Sequence, residues 1–188
     1  MKEIRWHGRG GNGAFTAAKL LGAAACVHEG KFAQSFPAFG PERRGAPVAG
    51  FTRISDEVIT DHSQVYGCDC VIVLDETLLD VVDVTIGMKE DAILVINSEK
   101  TADEMKKTNE SKLGQVSKIV TIDATDIALK KLGRNIVNTV MLGAAVGATN
   151  FVKMESVEDA IDEMMPGSLG AKNKDVAKTA YEMTKGAI

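Results

Sequence analysis

A glycine-rich loop near the N-terminus is the sequence feature that most strongly constrains the fold of this chain. The loop, Gly8-Arg9-Gly10-Gly11-Asn12-Gly13, separates a predicted strand over Lys2–His7 from a predicted helix over Ala14–His28. Its first, third and sixth residues satisfy the pattern G-x-G-x-x-G, in which the missing side chains let a phosphate approach the backbone. Since a helix N-terminus carries about half a unit of positive charge, the sequence predicts a strand–loop–helix unit that can hold an anion.

Three interpretations of this loop stay open. Nicotinamide dinucleotide binding needs an acidic residue about 20 positions further on, at the end of a second strand. Glu29 falls instead at the predicted end of a helix, where its carboxylate would not reach a ribose, so this interpretation is disfavoured. Binding of some other phosphate group is favoured, and a tight strand–helix turn without a ligand is the third interpretation.

A second loop, over residues 36–47, adds two adjacent arginines, Arg43 and Arg44. Its prolines and glycines predict a rigid, irregular segment. A guanidinium held by such a loop can bind a phosphate through two parallel hydrogen bonds. Alternatively, an arginine of this pair forms an ion pair with Glu42 or with a partner chain, or both stay solvated.

Three short apolar runs predict strands that are buried on both faces of a parallel sheet. They cover Cys70–Leu74, Ala92–Ile96 and Lys118–Ile122. Each run is followed by polar residues, which are Asp75-Glu76, Asn97-Ser98 and Asp123. Because ligands of open α/β sheets lie outside the carboxyl ends of the strands, we expect a site at this edge.

The remaining segments complete an α/β pattern. Two further strands are predicted over Phe32–Phe36 and Val48–Ile54. Helices are predicted over Asp126–Leu132, Val140–Thr149, Ser156–Met165 and Lys172–Thr184. Ser156 is expected to cap the third of these helices, with Asp159 completing a capping box. Strands that alternate with helices predict a three-layer α/β/α sandwich with a mainly parallel, mixed, Rossmann-like sheet. We expect a single domain over residues 1–188.

Composition excludes several classes of function. The net charge of −4 gives no electrostatic basis for binding nucleic acid or an anionic membrane, and no apolar run approaches the length of a membrane span. The three cysteines indicate a reducing compartment and hence the cytoplasm, and we expect no signal peptide. Cys68 and Cys70 are interpreted as buried thiols rather than metal ligands. No nucleophile with an evident base and no metal-ligand spacing appears, so we predict neither catalytic residues nor a metal site.

Five blocks of the sequence, in order, carry a resemblance to a known family. They are residues 4–14, 36–47, 75–79, 123–128 and 138–144. In these blocks the chain resembles the gamma subunits of the pyruvate:ferredoxin oxidoreductases, within the 2-oxoacid:ferredoxin oxidoreductase family. One departure is Asn12, where glutamine, longer by one methylene, is usual in the family.

The resemblance implies a noncatalytic subunit of an enzyme that converts pyruvate, coenzyme A and oxidised ferredoxin to acetyl-CoA, carbon dioxide and reduced ferredoxin. Thiamine diphosphate, Mg and 4Fe-4S clusters would lie on partner alpha, beta and delta subunits, with ferredoxin as the electron acceptor. This chain would hold the phosphates of coenzyme A, and the residues implied are Gly8, Arg9, Gly10, Gly11, Asn12, Gly13, Arg43 and Arg44.

Two alternatives to this function stay open. One is the gamma subunit of a 2-oxoisovalerate:ferredoxin oxidoreductase, because the branched-chain enzymes have similar gamma subunits. The other is a stand-alone module that binds a nucleotide or coenzyme A through the same loops. An assembled subunit should expose Phe36, Phe39 and Ala46-Pro47 to a partner when isolated, whereas a stand-alone module should bury them.

Overall fold

A computed structural model describes residues 1–38 and 44–188 of the chain. Six strands in these ranges form one sheet: β1 (Lys2–Arg9), β2 (Phe32–Pro37), β3 (Pro47–Ser55), β4 (Cys68–Val73), β5 (Met88–Asn97) and β6 (Lys118–Ile122). The helices are α1 (Ala14–Ala23), α2 (Ala102–Thr108), α3 (Glu110–Leu113), α4 (Ala124–Leu132), α5 (Asn138–Thr149), α6 (Met154–Met164) and α7 (Ser168–Thr184), with a π-helical turn over Ala24–His28 and a 3₁₀ turn over Glu76–Asp80.

The sheet is mixed, with the strand order β2-β3-β1-β4-β5-β6. Strands β1, β4, β5 and β6 are parallel neighbours, whereas β3 runs antiparallel to both β1 and β2. The carboxyl ends of the four parallel strands therefore meet at one edge of the sheet. This arrangement confirms the predicted α/β class with its mainly parallel, mixed sheet.

Each face of the sheet is covered by its own hydrophobic core. Trp6 and Ile72 point into a core shared with α1, α4, α5, α6 and α7. Val71 and Leu94 point to the other face, where Met105 of α2 and Leu113 of α3 complete a smaller core. Since side chains alternate between the faces of a strand, the continuous apolar runs supply both cores, and the three-layer prediction is confirmed.

The two neighbouring cysteines Cys68 and Cys70 are both buried, but in different cores. Two residues spaced by two normally share one face of a strand, and an irregularity in the pairing of β4 with β5 between these cysteines separates them. Burial raises the pKa of both thiols, so they remain protonated at neutral pH. The predicted burial of both thiols is confirmed.

The helix boundaries correct one prediction. Ser156 does not cap α6, because this helix begins at Met154 with Lys153 at the N-cap and no side-chain cap from its own segment. Ser156 is buried inside the helix. The carboxylate of Glu29 accepts the backbone N–H of Lys153 at 2.5 Å and takes the capping role from outside. A local sequence pattern could not reveal a cap that is 124 residues away.

Other boundaries shift by a few residues. Helix α5 begins at Asn138 and α7 at Ser168, each earlier than predicted. The first helix was predicted as far as His28, but its α-helical part ends at Ala23 and a π-helical turn follows. In the described ranges, no helix is both long and apolar enough to cross a membrane.

Candidate functional site

A cleft of about 380 Å³ lies at the carboxyl edge of the parallel strands. Its walls come from the glycine loop, the ends of β4, β5 and β6, and the segment before α5; the lining residues are Arg9, Asn12, Leu74, Asp75, Glu76, Thr77, Asn97, Ser98, Glu99, Asp123, Thr125, Asn135 and Val137. The polar residues predicted after the three apolar runs therefore come together in space.

The glycine loop is closed by its own hydrogen bonds. The Asn12 side chain accepts the backbone N–H of Arg9 at 3.1 Å, and the Asn12 N–H donates to the Arg9 carbonyl at 3.0 Å. A Cβ atom on Gly8 would lie 2.5 Å from Asn12 Oδ1, so only glycine permits this close approach. The shorter asparagine thus has a defined local role in the loop.

The start of α1 presents N–H groups that are available to an anion. Gly13 occupies the N-cap with a φ of 79°, and neither a side-chain cap nor an acidic residue neutralises the first turn. Among the described residues, no acceptor takes the N–H of Gly11, Gly13 or Ala14. This geometry can bind a phosphate, as the glycine pattern predicts.

Arg9 holds the glycine loop to its neighbours. Its guanidinium donates from Nε to Asp75 at 2.8 Å and to the hydroxyl of Thr77 at 2.6 Å, and it also reaches the carbonyl of Gly45 at 3.1 Å. These bonds occupy much of its donor capacity. The role of the Arg9 side chain in phosphate binding remains a prediction, whereas the structure shows directly that this side chain links the glycine loop to Asp75, Thr77 and Gly45.

The second loop joins the first through Arg44. Gly10 and Arg44 form an isolated parallel bridge, with the Gly10 N–H donating to Ala46 at 2.8 Å and the Gly45 N–H donating to Gly10 at 3.0 Å. The Arg44 side chain is exposed beside Gly11 and forms no ion pair with a described residue. Arg43 lies outside the described residues.

The carboxylates of the cleft stabilise its frame. Asp75 caps the 3₁₀ turn through the N–H and hydroxyl of Thr77, and Asp123 caps α4 through the N–H of Asp126 at 2.8 Å. Glu76 accepts the Ser98 hydroxyl at 2.6 Å. Partial burial alone would raise the pKa of Asp75, but hydrogen bonds from Thr77 and Arg9 outweigh it and lower the pKa below its usual value. These contacts support the role of strand-end caps for the carboxylates.

Asn97 ties three elements of the cleft together. Its Nδ2 donates to the Leu74 carbonyl at 2.9 Å and to the Thr125 hydroxyl at 3.0 Å. Its Oδ1 accepts the backbone N–H of Ala124 at 3.0 Å. Because both ends of the amide are used, this buried side chain fixes β4, β5 and α4 at the edge of the cleft.

His7 lies at the carboxyl-terminal part of β1, close to the glycine loop. Burial, together with the charge of Arg5, lowers its pKa to about 4, so the imidazole is neutral at pH 7. Its Nε2 atom is buried without a hydrogen-bond partner among the described residues. A neutral, buried ring that faces the sheet's smaller core is consistent with a structural role.

The sequence patterns placed the start of α5 two residues too late and so missed how Asn138 meets the glycine loop. A Cβ atom on Gly13 would lie 2.6 Å from Asn138 Nδ2 and 3.0 Å from Asn138 Cγ. The N-termini of α1 and α5 are therefore in direct contact. An asparagine directly before an apolar helical run was the available signal, since asparagine favours helix starts.

The apolar residues of the second loop are only partly covered. Phe36 is half-buried and stacks on Phe51 with ring centroids 5.3 Å apart, and Ala46 is also half-buried, whereas Pro47 is exposed. Phe39 lies outside the described residues. The exposure is intermediate between that expected of an isolated subunit and that expected of a stand-alone module.

Comparisons with known proteins give consistent results. The family described as Pyruvate ferredoxin/flavodoxin oxidoreductase matches residues 3–183. The pyruvate synthase subunit PorC of Methanothermobacter marburgensis is 54% identical over 185 residues, covering 98% of this chain and 98% of the relative. The common gamma subunit of the pyruvate/ketoisovalerate oxidoreductases of Thermococcus litoralis is 52% identical over 184 residues, covering 98% and 97%. The crystal structure of pyruvate oxidoreductase subunit PORC from Thermotoga maritima superimposes with a TM-score of 0.82 at 41% identity, covering 96% and 95%.

Proposed function

The chain belongs to the Pyruvate ferredoxin/flavodoxin oxidoreductase family, and on that premise we propose that it is the gamma subunit of a pyruvate synthase. The complex would convert pyruvate, coenzyme A and oxidised ferredoxin to acetyl-CoA, carbon dioxide and reduced ferredoxin. The observation that carries this proposal is the similarity to named subunits of pyruvate synthase along nearly their whole length. Partner alpha, beta and delta subunits would carry thiamine diphosphate, Mg and 4Fe-4S clusters, and the complex would lie in the cytoplasm.

Within the complex, we propose that this chain, as a single domain over residues 1–188, contributes to binding the phosphates of coenzyme A. Support comes from the N–H groups at the start of α1, which meet no acceptor in the described part of the chain, and from the exposed Arg44 beside Gly11. The fixed loop costs little ordering when a ligand binds, because its hydrogen bonds already set its conformation. Binding energy at the nucleotide end would orient the thiol toward the acyl-transfer step on the partner subunits.

The proposed complex has two candidate 2-oxoacid substrates. A relative of 52% identity is named as a common subunit of pyruvate and ketoisovalerate oxidoreductases, which favours 2-oxoisovalerate as a second candidate substrate. No residue of this chain is proposed to contact the oxoacid, so one gamma subunit can serve two complexes. The partner subunits would then determine which 2-oxoacid is used.

Affinity purification from the native source tests the subunit role. The tagged chain should co-purify with iron–sulfur and thiamine-bearing chains, and the preparation should reduce a viologen dye when both pyruvate and coenzyme A are supplied. Parallel assays with 2-oxoisovalerate determine the substrate range. Recovery of the tagged chain alone, with nucleotide binding but without oxoacid-dependent activity, would favour the stand-alone module.

Replacing both loop arginines tests the proposed phosphate site. In the assembled complex, Arg43→Ala combined with Arg44→Ala should raise the Michaelis constant for coenzyme A more than tenfold, since two charge-assisted hydrogen-bonding groups are lost. Lys107→Ala, which removes an exposed lysine on α2, is the matched control. An unchanged Michaelis constant in the double variant would contradict the assignment of these arginines.

A further inference from the structure

The two faces of the sheet are covered in different ways where β2, β3 and β1 lie side by side. On one face, α1 packs against all three of these strands. On the other face lies a stretch without helix or strand, residues 56–67, which we call the β3–β4 loop. Gln34 of β2 donates to the carbonyl of Ile59 in this loop at 3.4 Å, and Val65 near its end joins the smaller core. The loop therefore crosses the sheet from β2 toward β4.

A buried arginine holds the β3–β4 loop in place. Arg53 of β3 is 1% exposed, and its guanidinium donates to the carbonyls of Asp61 and Gln64 at 3.1 and 3.2 Å. The carboxylate of Glu3 neutralises this cation at 3.0 Å. The guanidinium also lies 5.5 Å from the ring of Phe36, which the sequence predicts to face a partner. Because these bonds already fix the loop, its exposed side chains lose little freedom when they bind another surface.

A second segment, residues 81–87, is held against the same face. Arg5 of β1 points to this face and donates to the carbonyl of Ile86 at 2.6 Å. The segment also meets the end of the β3–β4 loop, since a Cβ atom on Gly87 would clash with the carbonyl oxygen of Tyr66. The loop and the segment therefore form one continuous surface.

This surface, formed by residues 56–67 and 81–87, is called the loop face. Three of its apolar side chains project into solvent. Val58 and Tyr66 are 67% and 74% exposed, and Ile86 is 66% exposed. A tyrosine among aliphatic side chains on a fixed backbone is typical of the centre of a protein–protein interface.

The loop face carries negative charge. Neither of its two segments contains a lysine or an arginine, and its exposed carboxylates are Asp56, Glu57, Asp61 and Asp83. Arg53 lies 3.5 Å from Asp61 and offsets that carboxylate in part. Lys89, which borders the loop at Gly67, is already bound to Asp69 at 2.7 Å. In the described ranges, Asp56 and Glu57 form no ion pair, so the loop face attracts a cationic surface.

We propose that the loop face docks a partner subunit of the complex, through a segment that carries lysines around apolar side chains. Val58, Tyr66 and Ile86 form the apolar centre of the contact, and Asp56 and Glu57 attract the lysines at its rim. A second copy of this chain does not fit, because a two-fold interface sets the same carboxylates against each other. The inference rests on the proposed function, because the partner belongs to the same complex.

A competition between two forms of the chain tests the apolar centre. Wild-type chain and a variant with Tyr66→Ala and Ile86→Ala are co-expressed with the partner subunits, and mass spectrometry measures the ratio of the two forms in the purified complex. The wild-type form should exceed the variant about tenfold, because two side chains are lost from the centre of the interface. Circular dichroism of the isolated variant should match the wild type, since both replaced side chains are mostly exposed.

The matched control replaces two side chains of α7. Leu169 and Met183 are 60% and 61% exposed, so Leu169→Ala combined with Met183→Ala removes apolar surface of similar exposure elsewhere. This control should be incorporated within about twofold of the wild type. Equal incorporation of the loop-face variant and the wild type would overturn the inference, and so would an equal loss in the control.

A cross-link in the unmodified complex identifies what lies on the loop face. A carbodiimide joins a carboxylate directly to a lysine in contact with it, and mass spectrometry locates the joined residues. We expect Asp56 or Glu57 to be joined to a lysine of a partner subunit, and Asp56→Asn combined with Glu57→Gln to remove that product. A link from these carboxylates to a second copy of this chain would overturn the inference. The same holds if other carboxylates of the chain are joined to partner subunits and these two are not.

The outcomes separate the inference from the function on which it rests. If the wild-type chain does not co-purify with iron–sulfur and thiamine-bearing subunits, the proposed function itself fails. If it co-purifies with them but the loop-face variant is incorporated as well as the wild type, the proposed function stands and the docking surface is wrong.

Discussion

Replacing Gly13 with alanine tests the contact between the glycine loop and α5. Gly13 has a φ of 79°, and an alanine in this left-handed conformation costs about 1–2 kcal/mol. In addition, the new Cβ would lie 2.6 Å from Asn138 Nδ2 and 3.1 Å from Asn138 Cβ, inside a buried helix start. Overpacking of this kind costs about 1–3 kcal/mol. We therefore expect Gly13→Ala to lower the free energy of unfolding by about 2–5 kcal/mol.

Gly133→Ala separates the two contributions. Gly133 has a φ of 69°, and a Cβ atom there would meet nothing within 4 Å, so this variant carries only the backbone strain of about 1–2 kcal/mol. Urea denaturation followed by circular dichroism gives both values. Asn138→Ala added to Gly13→Ala removes Nδ2 and Cγ of Asn138, the two atoms nearest the new Cβ, and should recover at least about 1 kcal/mol. Equal losses for Gly13→Ala and Gly133→Ala would refute the contact.

Two further predictions concern charge. Asp75→Asn keeps the shape of the cap but removes the ion pair with Arg9. Because both side chains are about 30% exposed, the free energy of unfolding at neutral pH should fall by only about 1 kcal/mol. The control Asp91→Asn, which removes the exposed ion pair with Lys118, should cause no measurable change. His7 has a folded-state pKa of about 4, against 6.5 for an unperturbed histidine, so the unfolded chain binds the extra proton between these values. Stability should therefore decrease as the pH falls from 6.5 to 4, by about 3 kcal/mol from this residue. His7→Gln should make the urea denaturation midpoint less dependent on pH over that range. If the midpoint of this variant falls with pH as steeply as in the wild type, His7 is not the group responsible.

The fold could be predicted from the sequence because its signals are local. The apolar runs in β4, β5 and β6 each contain enough consecutive β-branched or aliphatic residues to identify a strand buried on both faces. The start of α6 could not be predicted in the same way. Its cap is Glu29, which the fold brings from a distant part of the chain, and no pattern around Ser156 carries that information.

In the candidate site too, the features with local sequence signals were predictable and those formed by distant residues were not. The glycine loop was predictable because strand, glycines and helix follow one another directly in the sequence, over residues 2–23. The bracing of Arg9 by Asp75 and the closeness of Asn138 to Gly13 depend on strand order and helix packing, which join residues far apart in sequence. Arg134 lies in the segment between α4 and α5 and Lys172 lies in α7, and both resemble ordinary surface cations until the fold brings them to one concavity.

Activity of the complex with and without this chain tests the central claim most directly. The partner subunits are purified without it, and reduction of a viologen dye by pyruvate and coenzyme A is measured before and after the purified chain is added. We predict little coenzyme A-dependent turnover at first and its recovery once the chain is added in stoichiometric amount. Full coenzyme A-dependent activity before addition would contradict a role of this chain in coenzyme A binding and in the assembly of the enzyme.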